Sequence, residues 1–346
     1  MKPSLFLFIG SAALLTTQVA CATSHEKGIY PDEIVHPIPE DLSVFKQPES
    51  LVADLAKIQR GSLRDRIRAL ADKSKRDQIF VEGGTFQMGD FGRLQSEEKL
   101  PWDGNVNSSP LHEVTLDSYS ISKYKVTLAE FDLYAEANKV PTVQTEDIYT
   151  KILGDRPAWR APDKPAGVIW EQADAYCKWV GKITGQSFSL PTEAQWEYAA
   201  RDRGRWIVYP TDNGKLEWNR NVPSRQLIAA INGGRGGSPY RIASFSPNPL
   251  GLYDLTKNSL DWVQDWYADD WYDHSDKAHN PTGPETGTEK VLRSWPASDS
   301  RSTMTMTRLH EKPGQEIDQN GNLKSTLLYG FRCTVNNPAP VSLHNK

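Results

Sequence analysis

The stretch WEQADAYCKWVGKITGQSFSLPTEAQWEYAARDR, residues 170–203, constrains the fold more than any other part of the chain. Leu190-Pro191 ends an extended run. Thr192 then stands as a helix cap, and Gln195 follows three residues later to close a capping box. Trp196, Ala199 and Ala200 recur at helical spacing and place a large ring beside two small residues, a face suited to close packing. The first half reads as a second short amphipathic helix with Ala173, Tyr176, Cys177 and Val180 on one face, and with Gly181 ending the periodic run. A fold built here must therefore seat two short helices joined by a tight extended link.

The rest of the sequence supplies the means to bury them. With 346 residues, 38% hydrophobic and 24% charged, the chain is long enough for a large core and reads as globular. Its net charge of -4, with basic residues spread along the sequence, offers no basic stripe and excludes nucleic acid as a partner. Eleven Trp and 13 Tyr suit a fold poor in regular structure, where large rings fill irregular gaps.

Taken in order, residues 1–20 read as a signal peptide: Lys2 gives the positive start, Leu5 to Leu15 the apolar core, and Gln18-Val19-Ala20-Cys21 a small-residue cleavage site. Residues 21–50 are rich in Pro, Glu, Asp and His without periodicity and read as a tether. Over 51–78, Leu51, Leu55, Ile58, Leu63, Ile67 and Leu70 fall near helical spacing with a break at Gly61-Ser62. That pattern predicts a helical hairpin or one broken helix. Further on, Gly83-Gly84 signals a hairpin turn, Thr85 to Met88 alternates as a strand does, and Thr127 caps a helix carrying Phe131 and Tyr134. His112 has no second histidine at ligand spacing and reads as structural. Residues 209–248 are loop-like, and the glycine-rich run at 233–237 neither follows a strand nor opens a helix, which argues against phosphate binding. Met304 and Met306 alternate with threonines, a pattern that places both sulfurs on one side of a strand, where thioethers more often fill a core than bind Cu(I).

DAYCKW followed by LPTEAQWEYAAR closely resembles the signature of the formylglycine-generating enzyme, or sulfatase-modifying factor, family. Further blocks in the family's order are FVEGGTFQMG, HEVTLDSYSISKYKVTLAEF, NPLGLYDLTKNSLDWVQDW, KVLRSW and GFRC. The resemblance implies an α+β, C-type-lectin-like fold of low regular secondary structure over 79–337, leaving 338–346 as a tail. It also implies a disulfide between Cys177 and Cys333, in positions that pair in the family's enzymes. Closing so long a loop would stabilise the fold by about 5 kcal/mol on the chain-entropy model. Cys21 is then left over. A lone thiol is a liability in an oxidising compartment, and Val19-Ala20-Cys21 resembles a lipoprotein box, whereas Ala20-Cys21-Ala22 alone would suit plain secretion. The lipoprotein reading places a lipid on Cys21 and, with Ala22 following, the protein on the periplasmic face of the outer membrane.

Catalysis in the family rests on two cysteines that hold copper, and soft thiolates are needed for that metal. Laying Ser294-Trp295 on the family pattern puts Ala297 and Ser302 at the two cysteine positions, so copper is not expected. The family's calcium stretch corresponds to Lys257 to Trp262, which keeps Asn258 and has Asp261 for the family's Glu. The resemblance thus implies a calcium site there, against the alternative that both residues cap a turn. The clustered histidines of the ergothioneine branch are absent. Two functional readings result: a non-catalytic module binding a protein partner, in an accessory or immunity role beside a secreted toxin or envelope protein, or a periplasmic oxidoreductase of the pyoverdine-maturation type acting on a peptide or phenolic substrate.

Overall fold

A computed structural model describes residues 36–143, 160–233, 239–294, 303–314 and 326–342. The expectations for the signal peptide, Cys21, the glycine-rich run beyond Gly233, Ala297 and Ser302 lie outside the described residues.

Helices α1 (Glu49–Ile58) and α2 (Leu63–Arg76) form the hairpin arm of the two expected arrangements. Gly61 breaks them at a φ of +96°, open to glycine at no steric cost, and the Ser62 hydroxyl accepts the Asp65 N–H to start α2. Leu51, Leu55, Ile58 and Leu70 enter the same core as Tyr124, Leu128 and Tyr176, so the helical extension is continuous with the main domain. Lys73 of α2 is buried with it, its ammonium 2.8 Å from Glu130 and 2.9 Å from Asp77. Glu130 also accepts the Thr127 N–H and completes the capping box of α3 (Leu128–Asn138).

The described end of the expected tether is not free of the domain. His36 stacks on Trp218, Phe45 packs on Phe245, and the Gln47 amide donates to the Ile242 carbonyl. Rings and a satisfied amide outweigh the ordering cost that the polar composition suggested.

The described strands form three small sheets. In the first, β1 (Gln78–Val81), β4 (Tyr119–Ser122), β11 (Thr334–Val335) and β5 (Phe188–Ser189) lie in that order. The second runs β10 (Tyr329–Phe331), β6 (Leu260–Trp266), β8 (Lys290–Arg293), β9 (Leu309–Glu311). The third is β2 (Gly84–Met88), β3 (His112–Leu116), β7 (Ala278–His279). Gly83-Gly84 is not a hairpin turn: β1 pairs with β4 and β2 with β3, and the glycines carry the chain from one sheet to another. A Cβ on Gly83 would stand 2.3 Å from the Leu116 carbonyl oxygen, so close approach explains the glycine.

Helix α4 (Trp170–Thr184) runs three residues past Gly181 and ends at Gly185, which is left-handed at φ +70°. Gly181 serves packing instead, since a Cβ there would lie 2.8 Å from the Gln186 carbonyl. Cys177 on α4 is bonded to Cys333, next to β11, with their Cα atoms 5.7 Å apart. Met304 and Met306 sit in a turn rather than a strand, and both are buried with Phe91 in a small satellite core.

Candidate functional site

Helix α5 (Glu193–Ala200) starts where the capping box predicts, with the Thr192 hydroxyl accepting the Gln195 N–H and the Gln195 side chain accepting the Thr192 N–H. All eight of its residues are buried, the acids included. Burying a carboxylate is costly unless it is paired, and each acid here has arginine partners. Arg293, the last residue of β8, reaches Glu193 Oε1 at 2.8 Å and Glu197 Oε2 at 2.9 Å. Arg308, just before β9, reaches Glu193 Oε1 at 2.8 Å through Nε and Glu193 Oε2 at 3.1 Å through Nη2, and donates to the Asn107 carbonyl. Arg201 binds Glu197 Oε1 at 2.9 Å, an oxygen that also accepts the Gly89 N–H at 2.9 Å.

Arg293 and Arg308 thus bracket residues 294–307 and are both held by Glu193. Arg293 also donates to the Thr305 carbonyl, the Ser294 hydroxyl donates to the Thr256 carbonyl, and the Thr305 hydroxyl donates to the Ile207 carbonyl at 2.7 Å. The segment that carries Ala297 and Ser302 is therefore seated at both ends by a buried charge cluster on α5.

The electrostatics follow from depth. Burial works against the Glu193 charge, but Arg308 and Arg293 outweigh it and hold its carboxyl below the usual range. Asp265 of β6, which accepts the Glu193 N–H at 2.8 Å, has no such partner at contact among the described residues. Burial, with the Glu193 charge adding to it, pushes the Asp265 carboxyl up to about 8. His112 lies at the edge of the cluster, its ring 4.4 Å from that of Tyr272; Nδ1 faces the Pro110 carbonyl at 3.0 Å, and Nε2 has no hydrogen-bond partner among the described residues. The structural reading of His112 fits this setting, and no group of three His, Cys, Asp or Glu side chains suited to a metal occurs among the described residues.

The copper chemistry of the family does not fit this donor set. The chain has three cysteines, and Cys177 and Cys333 are consumed by the disulfide. The thioethers of Met304 and Met306 pack on Phe91. Calcium does not fit at Asn258 and Asp261 either. Asp261 Oδ1 is 2.6 Å from Lys125 Nζ, while Oδ2 is 3.1 Å from Arg332 Nε and accepts the Trp196 indole N–H at 3.0 Å. Asn258 Oδ1 accepts the Tyr240 N–H at 3.0 Å. The expected ligands are present, but their oxygens are already engaged by cations and N–H donors.

Sequence reasoning placed Trp196 and the cap of α5 correctly and overlooked the charge cluster. Its signal was in the motif: Glu193, Glu197 and Arg201 recur every four residues on one helical stripe, and Arg293 and Arg308 interrupt otherwise apolar or small surroundings.

Short capped helices, three small sheets and a disulfide from α4 to the closing strand define an α+β domain of the sulfatase-modifying-factor type. The chain belongs to the FGE-sulfatase family: the Sulfatase-modifying factor enzyme 1-like domain matches residues 65–336. That match begins inside α2, ahead of the boundary at 79 expected from the sequence, in keeping with the core that α2 shares. Serine/threonine-protein kinase pkn1 of Chlamydia pneumoniae is 28% identical over 272 residues, covering 75% of this chain and 38% of that protein. The chain thus spans well under half of that relative. The formylglycine-generating enzyme of Streptomyces coelicolor is 29% identical over 310 residues, covering 77% of this chain and 91% of that enzyme. PvdO from Pseudomonas aeruginosa shares the fold, with a TM-score of 0.54 at 23% identity over 75% of this chain and 93% of that one.

Proposed function

We propose that this protein is a non-catalytic binding module of the family, held at the periplasmic face of the outer membrane by a lipid on Cys21, and that its partner is a protein. The observation that carries the reading is the donor set. Only one cysteine of the chain stands outside the disulfide, so no thiolate pair is available, while the α5 scaffold that seats the segment is kept. Retention of the scaffold without the reactive pair fits a domain used for its surface.

The surface we assign to the partner is a groove of about 1130 Å³ along α2. Arg64, Arg68 and Lys75 line it, with Asp72 as the one acid and with Ile67 and Ile183 adding apolar area. Arg64 and Arg68 are exposed, lie one turn apart, and make no ion pair among the described residues. Concavity with excess positive charge suits an extended acidic segment, which charge would steer and the apolar residues would hold.

The test pairs two assays. A sulfatase-type CxPxR peptide incubated with the protein and Cu(I) should yield no formylglycine, and turnover above a metal-free control would overturn the reading. In a pull-down from periplasmic extract, a stoichiometric partner is expected that is lost with the double variant Arg64→Glu/Arg68→Glu and weakened by salt. A partner indifferent to that variant would remove the groove from the proposal. No partner, together with a tightly bound redox metal, would favour an oxidoreductase.

A further inference from the structure

Lys125 stands on the segment between β4 and α3, in the run Tyr124-Lys125-Val126-Thr127, and its side chain is fully buried. A buried ammonium persists only where acceptors surround it. It forms an ion pair with Asp261 Oδ1 at 2.6 Å and donates to the Leu260 carbonyl at 3.3 Å. One carboxylate oxygen and one backbone carbonyl are the ligand types a calcium ion takes. They belong to the stretch, Lys257 to Trp262, in which the family resemblance implied calcium.

We propose that the Lys125 ammonium is a built-in replacement for that divalent cation, making the folded domain independent of calcium.

The charge balance agrees. Among the described residues Asp261 is the one carboxylate paired with Lys125, and Arg332 neutralises its other oxygen at 3.1 Å while donating to the Tyr253 carbonyl at 2.8 Å. A divalent ion brought to Asp261 would meet two cations at short range in a medium that screens them poorly. Asn258 has turned to other work: at φ +106° its side-chain oxygen holds the Tyr240 N–H. A covalently attached cation cannot dissociate, so the link between the Asp261 strand and the segment leading into α3 stays closed at any calcium level.

Melting and terbium luminescence test this on the full protein. Trp196 donates its indole N–H to Asp261 and would sensitise a bound terbium ion. Wild-type protein should melt at the same temperature in EGTA and in millimolar calcium, and its terbium emission should match that of Asp261→Asn. Lys125→Glu, which sets two carboxylates against each other, should melt lower in EGTA and regain its midpoint with calcium, with terbium emission appearing above the wild type. A wild-type midpoint that rises with calcium and loses this response in Asp261→Asn would overturn the proposal. So would a Lys125→Glu protein that calcium does not rescue.

Discussion

Asp265 shows how depth sets a residue's chemistry. In the unfolded chain it ionises near the ordinary aspartate value of about 4, whereas in the fold burial and the Glu193 charge keep it protonated up to about 8. Between those values the folded state binds the extra proton, so this residue's contribution to stability is fully present below about 4 and is lost as pH rises to about 8. Asparagine keeps an oxygen for the Glu193 N–H and cannot ionise. Asp265→Asn should therefore differ least from the wild type in melting temperature near pH 4 and exceed it by at least about 3 °C at pH 9. Thermal melts across that range check this, and a gap independent of pH would count against a protonated Asp265.

At the scale of elements, α4 and α5 share one task, the closing of the chain onto itself. Helix α5 holds both ends of residues 294–307 through Glu193, and α4 holds the C-terminal strands through the disulfide. The two cysteines are 156 positions apart in the chain, and a link across so long a loop restricts the unfolded state strongly. Cys177→Ser with Cys333→Ser should cost about 2–5 kcal/mol in urea unfolding. An unchanged midpoint would show that packing around Tyr176 and Phe331 holds α4 without the bond. The helix limits teach a related point. Thr192 and Gln195 made the start of α5 legible because a capping box is local chemistry, whereas Gly181 was misread as a stop because its reason is the Gln186 carbonyl packed against it.

For the whole molecule, the anchor is the expectation that bears most on where the domain works. If Cys21 carries lipid, labelled palmitate enters the wild-type protein, and Cys21→Ser abolishes both the label and the need for detergent. A mature N-terminus at Thr23 would point to plain secretion. The sequence alone made legible the family, the caps that start α3 and α5 and, through the family resemblance, the partners of the disulfide, because each is written in residue type and order. It did not determine where the charges go. Lys125, Asp261 and Arg332 are far apart in the chain and meet only when β4, β6 and the closing strands assemble. The same assembly sets Glu193 between Arg293 and Arg308 and docks the end of the tether on Trp218 and Phe245. A charged residue reads as exposed until its partner is placed beside it. Pairing across such distances is decided by topology and desolvation, which only the tertiary structure supplies.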